Sequence, residues 1–292
     1  MLALVLWMGF GLTPACRPEA LRLEMQRLAA PARGRVGAAV LRLETGSLVS
    51  WNGTARFPMQ SVYKLPIAMA VLREVDAGRL VLDAPVRIRK SDMVPSGAGS
   101  RIRDEHPGGL DLPLREVLRA AVSDSDGTAC DVLLRLVSPR EVTDFLRAQG
   151  EREIVVATSE KEMSSGPFVQ YRNRSTAEAA VRLLRLLHEG RGVAAASRQL
   201  LLDWMTATDT GPRRIRGLLP PATPVAHKTG SSGTAGGMTR ATNDIGIITL
   251  PDGGHLAVAV FVSDSTATRE AREGVIAKIS RAAYDCQIPP AR

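Results

Sequence analysis

Ser61 and Lys64 stand three residues apart in the stretch "FPMQSVYKLPIAMAVL", residues 57 to 72, at the front of an apolar run. On a helix that spacing puts both side chains on one face. A serine hydroxyl becomes a nucleophile only when a base takes its proton. A lysine whose pKa is lowered by burial could be that base, or could pass a proton along. A helix N-terminus there would offer backbone N–H groups and a positive dipole end to a developing oxyanion. Pro66 is compatible with a helix because it falls near the first turn, where N–H groups have no partner within the helix. Taken alone, Ser-x-x-Lys equally describes a capping serine beside a solvated lysine.

Two further stretches carry chemistry. In "SDSDGTACDVLL", Ser125, Asp126 and Gly127 sit at the entry to an apolar helix. Ser and Asp are favoured N-caps. A second hydroxyl there could also relay a proton to a leaving group, with Asp126 holding the loop through backbone hydrogen bonds. In "AHKTGSSG", Lys228, Thr229 and Gly230 close a predicted strand. A lysine and a hydroxyl on a strand edge can hold a carboxylate, and a glycine lets a substrate approach the backbone. In this order the three elements form the set shared by serine β-lactamases and penicillin-binding proteins. The chain holds one Ser-x-x-Lys and one Lys-Thr-Gly.

These residues need elements to position them. Periodicity predicts a first helix near 18–30, with Leu21, Met25 and Leu28 on one side. Two apolar segments around Glu44-Thr45-Gly46-Ser47 predict a hairpin. Helices are predicted over 61–77, 113–122, 127–137, 139–148, 175–189 and 196–207. Ser138-Pro139 reads as an N-cap followed by proline at the first helical position. Residues 86–112 and 150–174 are long and irregular, as functional loops often are. Strands return over 224–230, 240–250 and 255–264, and a closing helix fits 268–285. Strands at both ends around a helical middle imply an α+β fold, with one antiparallel sheet built from both ends, helices packed on it and a helical insert.

The 292 residues allow one large domain or two intermingled ones, and 45% hydrophobic content is enough for a sizeable core. The first sixteen residues, "MLALVLWMGFGLTPAC", are uncharged and mostly apolar, and charges begin at Arg17. They read as an export signal; a lipid anchor at Cys16 is the alternative, although "LTPAC" matches a lipoprotein site poorly. No later apolar run is long enough to span a membrane. Cys130 and Cys286 are too few and too far apart for a disulfide framework; two buried free thiols are expected, with a single bridge between them as the alternative. The net charge of +8 is scattered and aromatics make up 4% of the chain, which disfavours stacking on nucleic-acid bases. His106, His188, His227 and His255 are isolated in sequence, so neither a metal site nor a cofactor is expected.

Around these motifs the chain resembles class A serine β-lactamases over nearly all its length after the signal. "FPMQSVYKLPIAMAVL", "SDSDGTACDVLL", "VQYRN" and "AHKTGSSG…ATNDIGI" look most like the PER-type branch of that class. The resemblance implies a β-lactamase/transpeptidase-like fold: a five-stranded antiparallel sheet flanked by helices (17–60 and 209–292) and an all-helical subdomain (61–208), after a signal over 1–16. It implies Ser61 as acylated nucleophile, Lys64 as proton acceptor or relay, and Ser125 as donor to the departing ring nitrogen. Lys228, Thr229, Gly230 and Ser231 would bind the substrate carboxylate, with Arg214 in support, and the N–H groups of Ser61 and Ser231 would form the oxyanion hole. Class A enzymes keep a deacylating glutamate on the loop represented here by "ATSEKEMSSGPFVQYRN". Glu160 and Glu162 are both candidates, and Glu160, eleven residues before Tyr171, has the PER-type spacing.

Two departures from the common pattern stand out. Gly127 replaces an asparagine that holds the substrate's acylamide, and Ser164 replaces one near the hydrolytic water. Asp131, where many relatives have asparagine, agrees with the PER-type branch. The expected protein is a monomeric, periplasmic or secreted enzyme whose partner is a small β-lactam. The alternatives are a D-Ala-D-Ala carboxypeptidase, which lacks the loop glutamate, and a non-catalytic β-lactam sensor or wall-binding relative.

Overall fold

A computed structural model describes residues 17–287; the expected signal and Cys16 lie outside them. Helix α1 (Pro18–Ala29) leads into strands β1 (Arg35–Arg42) and β2 (Leu48–Trp51). The short strand β3 (Phe57–Pro58) is followed by a 3-10 turn, Gln60–Tyr63, that runs directly into α2 (Lys64–Asp76). Next come β4 (Pro85–Arg89), α3 (Arg101–Glu105), β5 (Gly109–Pro113), α4 (Leu114–Val122), α5 (Gly127–Leu136) and α6 (Pro139–Ala148). The following loop contains α7 (Glu160–Met163) and β6 (Arg174–Ser175), and then α8 (Ala177–His188) and α9 (Ala195–Ala207). The chain returns to the sheet with β7 (Val225–Ser231), β8 (Thr234–Ala235), β9 (Met238–Thr239), β10 (Thr242–Thr249) and β11 (His255–Ser263), and closes with α10 (Arg269–Asp285).

Five strands form an antiparallel sheet in the order β2-β1-β11-β10-β7. Its three interior strands, β1, β11 and β10, are buried on both faces and sort their side chains by period two. On β11, Leu256, Val258, Val260 and Val262 pack with α1 and α10, while Ala257, Ala259 and Phe261 face the core shared with α2 and α8. Phe261 stacks on Phe57 at 5.9 Å. Because α8 lies against β1 and β11, the helical middle of the sequence is not wholly separate from the sheet.

Helix α2 is the axis of the helical part. Every residue from Lys64 to Leu72 is buried, as befits a helix surrounded on all sides. Its neighbours start where side chains supply the missing N-terminal partners. Asp126 caps α5 by accepting from Ala129 N, and Ser138 and Glu141 form a capping box on α6. The stretches read as irregular contain local structure that short patterns did not reveal. β4 pairs with β5, and β3 with β6, in two-stranded ladders.

Candidate active site

The 3-10 turn delivers Ser61, and the first residue of α2 is Lys64. Lys64 Nζ donates to Ser61 Oγ at 2.9 Å and to the Ser125 carbonyl at 2.6 Å, and it lies 2.9 Å from Glu160 Oε1. Gln60, just before Ser61, has φ 47°, and Ser125 has φ 60°. Left-handed backbone at non-glycine residues costs free energy and persists where the surroundings impose it. Here it turns two hydroxyl-bearing segments toward one cleft.

Of the two sequence readings of Lys64, a base with a lowered pKa or a proton relay, the protonation of the buried side chain favours the second. Burial is the largest single influence and opposes its charge, but Glu160 beside it, with Cys130 and Asp126, together more than offset burial, and the pKa is raised. Lys64 is therefore cationic at rest and must hand on its own proton before it can accept one. Lys228 goes the other way: burial, then the nearby Lys64 charge, lowers it to about 7. Its Nζ donates to Ser125 Oγ at 2.8 Å, so the second serine is held between two buried lysines.

Glu160 opens α7, and its backbone N–H donates to Asp131 Oδ1 at 2.7 Å. Asp131, on α5, also accepts from Lys161 N at 3.1 Å, and burial raises its pKa to about 6. Asn173 fixes the entry to the loop by accepting from Ala157 N and Thr158 N and donating to the Thr158 carbonyl. Glu162 is spent on structure, since it accepts from Ser159 N and Thr158 Oγ1 and completes the α7 capping box. Geometry thus separates the two candidate glutamates. Ser164 donates back to the Glu160 carbonyl at 2.9 Å.

Strand β7 brings the third motif. Its inner edge runs so close to the turn bearing Ser61 that a Cβ on Gly230 would lie 2.3 Å from the Met59 carbonyl oxygen and 3.2 Å from Ser61 N. Thr229 and Ser231 line a cleft of about 890 Å³ that also contains Ser61, Ser125 and Glu160. Arg214 is buried beneath this end and donates to Ser231 Oγ at 2.6 Å and to the Asn243 carbonyl at 2.8 Å.

A two-serine, two-lysine, one-glutamate cleft beside a strand edge can be compared with known proteins. Residues 20–287 match the model of the "Beta-lactamase enzyme family". The extended-spectrum β-lactamase PER-1 of Pseudomonas aeruginosa is 36% identical over 92% of this chain and 87% of its own length. The chain belongs to the class A β-lactamases. VEB-1, also of Pseudomonas aeruginosa, is 35% identical over 91% of this chain and 89% of that relative. Among solved structures, a β-lactamase from Chitinophaga pinensis superposes with a TM-score of 0.89 at 46% identity, covering 92% of this chain and 99% of that one. The TLA-1 extended-spectrum β-lactamase superposes with a TM-score of 0.89 at 40% identity, covering 92% and 98%.

Within this β-lactamase three expectations change. Gly127 is not on the cleft wall; it is buried at the start of α5, its N–H donates to the Gly99 carbonyl at 2.8 Å, and a Cβ there would meet that oxygen at 3.1 Å. Lys228 is fully buried behind the cleft and reaches it through Ser125. The cysteines do not form a matched pair of free thiols. Cys130 is free, buried and pushed well above the usual thiol range by that burial, whereas Cys286 is disulfide-bonded, so no bridge joins these two.

Sequence reasoning also missed contributors. Thr210 accepts from Thr229 Oγ1 at 2.9 Å on the cleft wall. Phe168 is exposed, and the guanidinium of Arg240, which lines the cleft, lies 5.2 Å from its ring centre. Gln60 and Gln170 join the turn bearing Ser61 to the loop bearing Glu160 through their side chains at 2.6 Å. None of these follows a motif; each depends on which loops meet. No helix among the described residues is long and apolar enough to cross a membrane.

Proposed function

We propose that this β-lactamase hydrolyses penicillins and cephalosporins through an acyl-enzyme on Ser61, with Glu160 activating the deacylating water. The observation that carries the reading is the position of Lys64 Nζ, 2.9 Å from Ser61 Oγ and 2.9 Å from Glu160 Oε1. In acylation, Ser61 Oγ attacks the lactam carbonyl and its proton passes toward Lys64 and Glu160. Because Lys64 is cationic at rest, Glu160 is the first acceptor, either from Lys64 or through a water. The lactam C–N bond breaks, and the nitrogen takes the Ser125 hydroxyl proton, which the relay restores. In deacylation Glu160 takes a proton from water, the hydroxide attacks the ester, and Ser61 recovers its hydrogen.

The rest of the cleft suits a carboxylate-bearing substrate. Thr229 and Ser231 present hydroxyls, Arg214, paired with Glu273, backs Ser231 on the wall, and buried Lys228 supplies positive potential from behind. The N–H groups of Ser61 and Ser231 serve as the oxyanion hole. Gly127 offers no side chain to an acylamide, so that group is held elsewhere on the wall. The names of PER-1 and TLA-1 support extended-spectrum cephalosporins as substrates and a role in antibiotic resistance, and the apolar leader supports a periplasmic or secreted enzyme.

Glu160→Gln tests the reading. It should slow turnover by about 10²-fold or more and leave a long-lived Ser61 adduct visible by mass. Unchanged turnover would remove Glu160 from the mechanism and favour another base.

A further inference from the structure

Three residues that the hydrolytic site does not use meet at the opposite end of the sheet. Glu44 follows β1, His255 opens β11 and His188 ends α8. His255 pairs with Thr249, seven residues along β10 from the Thr242–Ser231 pairing, roughly 23 Å at the rise of a strand. The His188 and His255 rings lie 4.4 Å apart between centroids, tilted by 48°. Glu44 Oε1 sits 3.0 Å from His255 Nδ1 and accepts the His255 backbone N–H at 2.8 Å. Its Oε2 accepts from Arg42 Nε at 2.8 Å, and Arg42 in turn pairs with Asp252. One donor atom from each of the three residues lies within 4.8 Å of the others. Both histidines border a cleft of about 280 Å³.

We propose that Glu44, His188 and His255 form a binding site for a divalent transition-metal ion, with Zn²⁺ the best match. Two imidazoles and a carboxylate suit zinc, whereas calcium and magnesium favour all-oxygen shells. Donors about 2.1 Å from a tetrahedral ion lie about 3.4 Å from one another, so the His255 Nδ1 and Glu44 Oε1 pair is already near that spacing. The remaining separations close by side-chain rotation, which the side-chain exposure of Glu44 (39%) and His255 (31%) permits. In the bound state His255 gives up its hydrogen bond to Glu44, Arg42 keeps the carboxylate oriented through Oε2, and a water from the cleft takes the fourth position. The nearby Arg198 guanidinium is turned to the His188 carbonyl at 2.8 Å, which directs its charge at the helix end rather than at the ligands. The three donors come from the turn after β1, the end of α8 and the start of β11. An ion there ties these segments together only in the folded protein and so stabilises it.

Zinc chloride titrated into the metal-free full chain tests this, read by calorimetry and by the thermal unfolding midpoint. One ion per chain and a midpoint that rises with zinc are expected. His188→Ala and His255→Ala should each weaken binding about tenfold or more, with His255→Gln as a gentler second variant. Hydrolysis of a chromogenic cephalosporin by the variants reports that they fold, and it should match the parent because the site is remote from Ser61. No binding at about 100 μM zinc, or undiminished binding by the His188→Ala/His255→Ala double variant, would overturn the assignment.

Discussion

Under the proposed mechanism, Lys228 sets how the site answers to pH. Lowered to about 7 by burial and by Lys64, it is charged below that value and increasingly neutral above it. Lys64 is shifted upward and stays charged across the same range. The positive potential that attracts a substrate carboxylate therefore fades as pH rises through about 7. Between pH 6 and pH 8 the charged fraction of such a group falls about tenfold, and kcat/KM for an anionic β-lactam should fall with it. Lys228→Arg keeps the charge at all these values and should move that limb upward. A profile flat from pH 6 to 9 would contradict this account of Lys228. At this scale the sequence was most informative about residue types. Ser61, Lys64, Ser125, Lys228 and Thr229 occur in motifs whose spacing alone suggests one site. Their protonation was not legible, because it depends on which charges burial brings together. The lowered pKa that one reading assigns to Lys64 belongs instead to Lys228.

Among the elements, β7 and the turn bearing Ser61 depend on a contact that only glycine allows. A methyl on Gly230 would be 2.3 Å from a backbone oxygen, and neither the strand nor the turn can yield cheaply. Gly230→Ala should push β7 away from the nucleophile and cost about 1–3 kcal/mol of stability, with a drop in kcat/KM larger than the drop in folded protein. Denaturant unfolding alongside kinetics separates the two effects, and normal activity in a stable Gly230→Ala protein would show that β7 need not approach so closely. Helix positions were largely legible: the predicted 139–148 and 127–137 match α6 and α5 to within a residue, because strong caps and continuous apolar periodicity mark them. The glutamate loop was legible only in outline. What holds it, Asp131 under Glu160 N–H and Asn173 under the 157–158 peptides, consists of long-range hydrogen bonds that no local pattern records. The meeting of His188 with His255 escaped for the same reason, since histidines isolated in sequence converge where α8 ends against β11.

The whole molecule is a sheet with a core on each face, and the active site lies where one core meets the helical part. Phe261 ties the sheet to the helical part from the central strand β11, fully buried and stacked on Phe57 just before the turn bearing Ser61. Phe261→Ala should cost about 3–5 kcal/mol in denaturant unfolding; a loss under about 1 kcal/mol would mean that the core between the sheet and α2 does not depend on this contact. That α+β plan could be inferred from the distribution of strand and helix patterns, whereas the disulfide at Cys286 could not, because cysteine spacing does not specify pairing. The central claim concerns covalent turnover on this scaffold. Intact mass of the purified protein, followed over time with excess cephalosporin while substrate loss is recorded, tests it most directly. A transient adduct on Ser61 with continuous consumption is the predicted result. A persistent adduct with little consumption, or hydrolysis that survives Ser61→Ala, would contradict it.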